Sequence, residues 1–368
     1  MRIALVHDYL NQYGGAERVL EACMELFPAA PVYTLFYDRK ATHGRFEGRV
    51  RQTSFLDYGF VRTHHRAFIP LMPVAADLLK LEDEYDAVIS LSAGYGKGIA
   101  HSSRALHISY CYTPLRYAWE HYNYFEHWPA AVKLASAPAF GYLRWWDRRA
   151  GNKPDVMLAV SGYIAHKVKH YYGRDASVIY PPVDMEAFYP DLSVKMGDYF
   201  LAAGRLIHYK KFDLVVRTFN KLGLPLVIVG TGPEGRALKA LATSPKITFM
   251  PFVPDADLRR LYSGARALVF PQVEDFGLVA AEAHACGTPV IAFDGGGATE
   301  IVQDGTTGIL FPEQSEKELE KAIGRFLCTP FDPAIIRNSA ERFSKARFQE
   351  EILNALNGAA MARKSDML

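Results

Sequence analysis

Short apolar runs rich in Val and Ile recur along the whole chain, and helix-sized segments separate them. In the first half these runs are Ile3–Val6, Val32–Phe36, Ala87–Leu91, Leu106–Tyr110, Val156–Val160 and Val178–Tyr180. In the second half they are Tyr199–Ala202, Leu226–Val229, Ile247–Met250, Ala267–Phe270 and Pro289–Ala292. A strand covered on both faces has no reason to alternate polar and apolar residues, so runs of this kind read as buried parallel strands in βαβ units. The first crossover is clear, because Ala16, Val19, Leu20, Cys23, Leu26 and Phe27 fall on one helical face. The fold class expected is therefore α/β.

A length of 368 residues favours two domains. The best boundary is Pro181-Pro182-Val183-Asp184. Two prolines cannot continue a sheet interior, and they stiffen a connector. The expectation is a Rossmann-like domain over 1–182 and a second over 183–345, with the loops beyond the carboxyl ends of both sheets lining one central cleft.

Composition removes several classes. Hydrophobic residues make up 49% and charged residues 22%, as in packed globular proteins. The 42 Lys and Arg nearly balance 40 acids, which argues against a nucleic-acid partner. Cys23, Cys111, Cys286 and Cys328 are far apart, with no CxxC, so neither a zinc site nor a disulfide framework is expected. The chain starts on a strand-like run rather than a signal peptide, and no uncharged run approaches the roughly 18 residues that span a bilayer. A cytoplasmic protein is expected.

Three segments carry chemistry. The first is Glu274-Asp275-Phe276-Gly277-Leu278-Val279-Ala280-Ala281-Glu282, which follows a strand and opens a helix closed by Gly287. Its carboxylates, separated by up to about 12 Å, suit two hydroxyl-rich groups either side of a diphosphate. The amides of Phe276, Gly277 and Leu278 are expected as first-turn donors at the positive end of the helix dipole. The second is Gly204-Arg205-Leu206 with Lys210, where Arg205 can grip a phosphate bidentately and Lys210 adds a point charge. The third is Gly14-Gly15, after the first strand, where backbone can approach a phosphate closely. Each has a plainer reading: a helix-end charge plus an exposed glutamate, a solvated Lys pair, and a tight βα turn.

Gly230-Thr231-Gly232-Pro233-Glu234-Gly235 satisfies G-x-G-x-x-G after a strand, but the next strand ends in Met250-Pro251-Phe252-Val253 without the acid that a dinucleotide fold needs. His64 and His65 read as surface, His284 as a packing residue, and Glu82, Asp83 and Glu84 as a solvated turn. The segment Tyr110–Trp146 holds Trp119, Trp128, Trp145 and Trp146 among Arg116, Lys133 and Arg144, with Arg148 and Arg149 beyond. It reads either as core aromatics or as an interfacial surface that makes peripheral contact with a membrane.

Taken together, the segments resemble retaining glycosyltransferases of family 4. The EX7E motif is Glu274 to Glu282, and the GRL…K element is Gly204-Arg205-Leu206 with Lys210. The Gly-Gly turn is Gly14-Gly15. Gly230–Glu234, Ala285-Cys286-Gly287-Thr288-Pro289-Val290 and Gly295-Gly296-Gly297 support the match. The resemblance implies a GT-B fold with a final helix, about 346–368, packing back on the first domain. It implies that Glu274 holds the donor sugar, Glu282 the ribose, and Arg205 and Lys210 the diphosphate, with the base near Phe252, Val253 and Asp255. Glu274, Arg205 and Lys210 are the implied catalytic residues. Tyr110–Glu120 looks like the mannosyltransferases of surface polysaccharide assembly, which usually carry His where this chain has Tyr112. Tyr112, Arg116 and Lys97 are the expected sugar or acceptor contacts.

The resulting expectation is a metal-independent retaining transferase. It has a nucleotide-sugar co-substrate, with GDP-mannose leading, and a saccharide or polyprenyl-diphosphate-linked saccharide acceptor. A UDP-sugar transferase, an epimerase and a non-catalytic sugar-binding protein stay open as alternatives.

Overall fold

A computed structural model describes residues 1–81, 84–120 and 130–366, with the side chains of 130–135 and 366 left aside. Glu82, Asp83 and Trp128, and the side chain of Lys133, lie outside the described residues. The chain divides into two compact units, Met1–Tyr180 with Phe348 onward, and Pro181–Arg347.

The first unit carries β1 (Ile3–His7), β2 (Val32–Thr34), β3 (Val50–Thr53), β4 (Ala87–Ser92), β5 (Leu106–Cys111), β6 (Val156–Ala159) and β7 (Ser177–Val178). They pair in parallel in the order β3-β2-β1-β4-β5-β6-β7. The second unit carries β8 (Phe200–Ala203), β9 (Leu226–Val229), β10 (Ile247–Met250), β11 (Leu268–Phe270), β12 (Val290–Phe293) and β13 (Gly308–Phe311). Their order is β10-β9-β8-β11-β12-β13, again parallel. Each unit is thus a doubly wound, Rossmann-like α/β sheet. In each the winding reverses beside the first strand, between β1 and β4 and between β8 and β11. Open α/β sheets leave their ligand crevice at such a switch point, beyond the carboxyl ends of the strands.

The apolar runs end as strands because helices cover both faces. β4 and β5 are buried at every residue. The helix Gly15–Leu26 buries Val19, Leu20 and Cys23 on its sheet side. In the second unit the helix Phe212–Leu222 buries Leu214, Val215, Val216 and Phe219, and ends at Gly223 in the left-handed conformation (φ 61°) that closes helices. Two strands escaped the sequence reading, β3 and β13. Both are edge strands, and Val50-Arg51-Gln52-Thr53 is too polar to show as an apolar run.

The final helix runs Lys345–Asp366. Within the first unit, Phe348 packs edge-on to Tyr110 at 5.6 Å and the Gln349 side-chain amide donates to the Ala22 carbonyl at 3.0 Å. Among the described residues no helix is long and apolar enough to cross a membrane.

Candidate active site

In the second unit the predicted residues assemble on loops at the carboxyl ends of adjacent strands. Gly204, Arg205 and Leu206 follow β8, Gln272 to Gly277 follow β11, and Gly295 to Gly297 follow β12. The first two loops flank the switch point. Lys210 Nζ lies 2.7 Å from Glu274 Oε1, both partly buried. Gln272 Nε2 donates to the same oxygen at 3.2 Å. Arg205 extends into solvent. A guanidinium and an ammonium on one side and a carboxylate on the other can meet a ligand that is anionic at one end and hydroxylated at the other.

Backbone packing holds these loops. Gly204 has φ 141°, and a Cβ there would stand 3.2 Å from Lys210 Nζ. A Cβ at Gly230 would fall 1.9 Å from the Gly204 carbonyl oxygen, and one at Gly232 2.2 Å from that of Leu206. The glycines of the G-x-G-x-x-G pattern therefore let two strand-end loops pack backbone to backbone. The Leu206 amide donates to the Thr231 carbonyl at 2.9 Å across this contact. Gly297 does the same for the glutamate loop: its amide donates to the Glu274 carbonyl at 2.9 Å, and a Cβ would meet Phe276 Cα at 2.4 Å.

The helix after Glu274 spans Leu278–Ala285 with Gly277 as its N-cap, at φ 109°. It begins later than expected, so the Phe276 amide stands outside its first turn, and the Phe276 side chain is buried edge-on against Phe343 at 5.2 Å. Leu278 opens the first turn, where amides lack intrahelical acceptors. Glu282 is 7% exposed and accepts from the Tyr262 hydroxyl at 3.3 Å, which removes the reading of an exposed glutamate. His284, fully buried, makes contacts at both ring nitrogens, with the Thr307 carbonyl at 3.1 Å and Ser339 Oγ at 3.4 Å. Burial pushes its pKa down to about 3, so it is a neutral packing residue. Phe252 is 75% exposed just past β10, with Val253 half-buried beside it and Asp255 opening the next helix.

In the first unit, Gly14 caps the helix Gly15–Leu26 with extended backbone (φ −164°), so no glycine-only conformation is imposed at the turn. Tyr112 is bound inward: its hydroxyl donates to the Ala16 carbonyl at 2.9 Å, and burial raises its pKa well above the usual phenol value. Arg116, half-buried, opens the short helix Arg116–Trp119. Lys97 overturns its expected role. It is completely buried, 2.7 Å from Asp147 Oδ1, and donates to the Gly94 carbonyl. Asp147 also accepts from Trp119 Nε1 at 2.7 Å and the Tyr172 hydroxyl at 2.8 Å. A buried ammonium must stay with its counter-ion, so Lys97 is a structural cation and not a contact for sugar or acceptor.

Sequence reasoning missed Gln272, Asp8 and the His7–Glu17 pair. Asp8 accepts from Ser92 Oγ (2.9 Å) and from the amides of Ala93 (2.6 Å), Tyr95 (3.0 Å) and Gly96 (2.5 Å), fixing the loop after β4. His7 and Glu17, both buried, stand 3.7 Å apart under the Gly14 turn. The available signal was a polar residue directly at a strand's carboxyl end.

The aromatic segment resolves residue by residue. Trp146 is buried, donating to Asp77 at 2.9 Å. Trp119 stacks on Tyr171 at 4.4 Å, and the Arg148 guanidinium lies over the Trp119 ring, 5.7 Å from its centre. Arg144 and Arg148 donate to the Ala118 and Tyr171 carbonyls. Core packing thus accounts for Trp119 and Trp146, and Trp145 is the described tryptophan left exposed.

Comparison with known proteins follows the two units. Residues 13–187 match the sequence model of Glycosyltransferase Family 4, and residues 185–348 match that of Glycosyl transferases group 1. The D-inositol 3-phosphate glycosyltransferases of Mycobacterium bovis and Mycobacterium tuberculosis are 31% identical over 57% of this chain and 49% of their own. The chain thus spans about half the length of the curated relatives it matches. HepE of Anabaena, solved with UDP and glucose, superposes with a TM-score of 0.71 at 18% identity, covering 97% of this chain and 99% of its own. The lipopolysaccharide outer core galactosyltransferase WaaB superposes at 0.64 and 17% identity, over 97% and 99%. At these identities the likeness shows the fold, which is GT-B.

Proposed function

Because this chain joins a glycosyltransferase family 4 region to a glycosyl transferases group 1 region within a GT-B fold, we propose that it transfers a hexose from a nucleoside diphosphate sugar to a saccharide or lipid-linked saccharide. The observation that carries the reading is the 2.7 Å meeting of Lys210 with Glu274 beside the switch point of the second sheet, with Arg205 on the neighbouring loop. In this reading Lys210 and Arg205 neutralise the diphosphate, and Glu274 turns to the hydroxyls of the transferred sugar. Gly277, Leu278 and the helix they open face the phosphate, Glu282 takes the ribose, and Phe252 and Val253 flank the base.

Transfer breaks the bond from the anomeric carbon to the phosphate oxygen and forms one to the acceptor oxygen on the same face. The departing diphosphate takes up the acceptor's proton. Fixed cations and helix amides stabilise the charge as it grows on the leaving group. The donor of first choice is GDP-mannose, on the likeness of Tyr110–Glu120 to mannosyltransferases. A second reading, UDP-glucose, is favoured by the nucleotide and sugar held in the HepE structure. No metal is required in either.

A thermal-shift panel of nucleotide sugars and nucleoside diphosphates, run with EDTA or magnesium, tests the reading, since a bound ligand raises apparent stability by mass action. GDP-mannose and GDP are expected to stabilise the protein equally in both buffers. A shift with UDP and none with GDP transfers the donor assignment to the second reading. Strict magnesium dependence of transfer removes the metal-free mechanism. Binding with no nucleotide release in the presence of any saccharide acceptor leaves a sugar-binding protein.

A further inference from the structure

A chain of hydrogen-bonded side chains leads out of the core of the first unit. His107, on β5, is completely buried, and its Nε2 stands 2.9 Å from the Ser90 hydroxyl on β4. Its Nδ1 stands 3.1 Å from Nε2 of the half-buried His101, with the two rings edge-on at 4.7 Å. His101 Nδ1 in turn stands 2.9 Å from the Ser102 carbonyl. A carbonyl only accepts, so His101 Nδ1 carries a hydrogen, and in the neutral ring its Nε2 accepts. His107 Nδ1 then donates, and His107 Nε2 accepts from Ser90. Every polar hydrogen of the neutral chain is used, and each points outward from the core.

One added proton does not fit this chain while it stays closed. Placed on His101 Nε2, it would face the hydrogen on His107 Nδ1. Moving that hydrogen to His107 Nε2 would turn Ser90 into an acceptor. Among the described residues Ser90 Oγ bonds His107 alone, so its own hydrogen would be stranded inside the sheet, where an unmade hydrogen bond is costly. Burial already holds the His107 pKa well below its usual value, and His101, Lys153 and Arg174 act in the same direction. The other charges nearby are mixed, so the hydrogen-bond pattern rather than the field decides the matter. Arg104 and Lys80 are exposed, and Arg363 approaches from the final helix. Asp155 accepts from the His107 amide at 2.7 Å and stands 3.8 Å from Arg363. Asp77 is held by Lys153 and Arg149, and Asp86 stands 4.0 Å from the Met1 ammonium. Glu84 is exposed in the segment that the Leu81 amide ties to the Ala100 carbonyl, with Glu82 and Asp83 outside the described residues. The route left to a proton is for the His101 ring to swing into water.

That movement has a mechanical consequence. The Ser102 carbonyl also accepts from the Ala105 amide at 3.0 Å, closing a turn. The same turn presents the Ser103 carbonyl, which accepts from Arg363 at 2.6 Å. Arg363 lies near the end of the final helix, which returns the chain from the second unit to the first. We infer that Ser90, His107 and His101 form a proton-operated latch. Closed, it holds the 101–105 turn against the last turns of the final helix; a proton taken up by His101 opens the turn and releases the helix end. The latch uses no residue placed in the transferase site, so it stands apart from that reading.

The sign follows from which state takes the proton. A water-exposed imidazole titrates at about 6.5, and the closed chain refuses the proton, so the latch holds above that pH and is lost as pH falls below it. The ratio of open to closed chains should rise about tenfold between pH 7.5 and pH 5.5. Hydrogen–deuterium exchange of the full chain at these two values, corrected for intrinsic exchange, tests the latch. Protection of amides 101–106 and 357–365 should fall about tenfold at the lower pH, while that of the helix Gly15–Leu26 stays unchanged. His101→Gln takes up no proton and should abolish the pH response in both segments. His101→Asn repeats the measurement with a shorter amide, and thermal melts check that each variant folds. Arg363→Ala should lower protection of the helix end at both pH values and leave the response of 101–106 in place. Equal protection of the parent at the two pH values overturns the inference, as does a tenfold fall that persists in the His101 variants. A response confined to 101–106, with the helix end unmoved, overturns it too, since a latch requires both to open together.

Discussion

The two sheets share one topology yet treat the polar residues at their carboxyl ends in opposite ways. In the second unit the switch-point groups stay within reach of solvent: Arg205 is exposed, and Lys210 and Glu274 are only partly buried in their 2.7 Å pair. In the first unit the corresponding polar residues are consumed inside. Asp8 is enclosed by a hydroxyl and three amides, Lys97 and Asp147 neutralise one another with no exposure, and the Tyr112 hydroxyl is spent on a helix carbonyl. A partly exposed ion pair contributes little to stability and can be exchanged for ligand contacts at small cost. A buried pair cannot be opened cheaply, because each charge would be stranded in a medium that solvates it poorly. The comparison teaches that a strand-end charge in this fold is a ligand candidate only when it keeps access to water.

The sharpest way to break this contrast is to remove one charge from each unit. Lys97→Met should destabilise the protein by about 3–5 kcal/mol, because Asp147 is left as an uncompensated buried carboxylate. Urea unfolding reads it. Lys97→Met/Asp147→Leu should recover part of that loss but not all, since Trp119 and Tyr172 also rely on Asp147. A Lys97→Met protein of unchanged stability would place the lysine outside any buried network.

Glu274→Ala should show the reverse pattern. Its stability should stay within about 1 kcal/mol of the parent, as for other partly exposed pairs. Its turnover should fall by about 100–1,000-fold while affinity for free nucleoside diphosphate changes little, because that ligand lacks the transferred hexose assigned to Glu274. Calorimetric titration with GDP and steady-state transfer measure the two quantities. An active Glu274→Ala enzyme would remove the core of the functional reading.

Glu282→Ala sharpens the contrast within the second unit. The ribose is present in donor and in product, so affinity for both should fall roughly ten- to a hundredfold. Equal losses of GDP affinity in the Glu274 and Glu282 variants would show that the roles are not divided between the two glutamates.

The smallest expected effect is a pH dependence shared by both units. Burial holds His284 at about 3 and pushes His107 well below its usual value of 6.5. The folded state therefore keeps both imidazoles neutral, while the unfolded chain takes up protons near 6.5. Their contribution is fully present above that pH and is lost as pH falls toward the folded values. Each can cost up to about 1.4 kcal/mol per pH unit once below 6.5. Denaturant midpoints at pH 7 and 5.5 compare the parent with His284→Gln. If His284 titrates as stated, the variant loses less stability over this interval than the parent.

How far the site was legible follows from the same physics. Glu274, Arg205 and Lys210 stood out in the sequence because charged residues follow apolar strand runs there, at fixed spacing within two short motifs. Gln272 was invisible, since a single amide after a strand carries no spacing signal until it is seen donating to Glu274. Lys97 misled for the converse reason. A lysine in a glycine-rich loop looks ready for a ligand, and only Asp147, fifty residues on, shows that it is taken. The G-x-G-x-x-G pattern was set aside as a dinucleotide site for want of an acid after the next strand, and its packing purpose appears only where Gly230 and Gly232 lie against the Gly204–Leu206 backbone.

The sequence by itself determined the two parallel α/β units, because burial on both faces leaves an apolar run in every central strand, and period and length are local properties. It missed the edge strand β3, which is polar and only partly buried, and the edge strand β13, whose apolar run is only three residues after a glycine. Tertiary structure alone decided which polar side chains meet each other and which meet water. Those outcomes depend on partners as distant as Asp8 from Gly96 or Asp77 from Trp146, and electrostatic cost is set by the surroundings rather than by the residue.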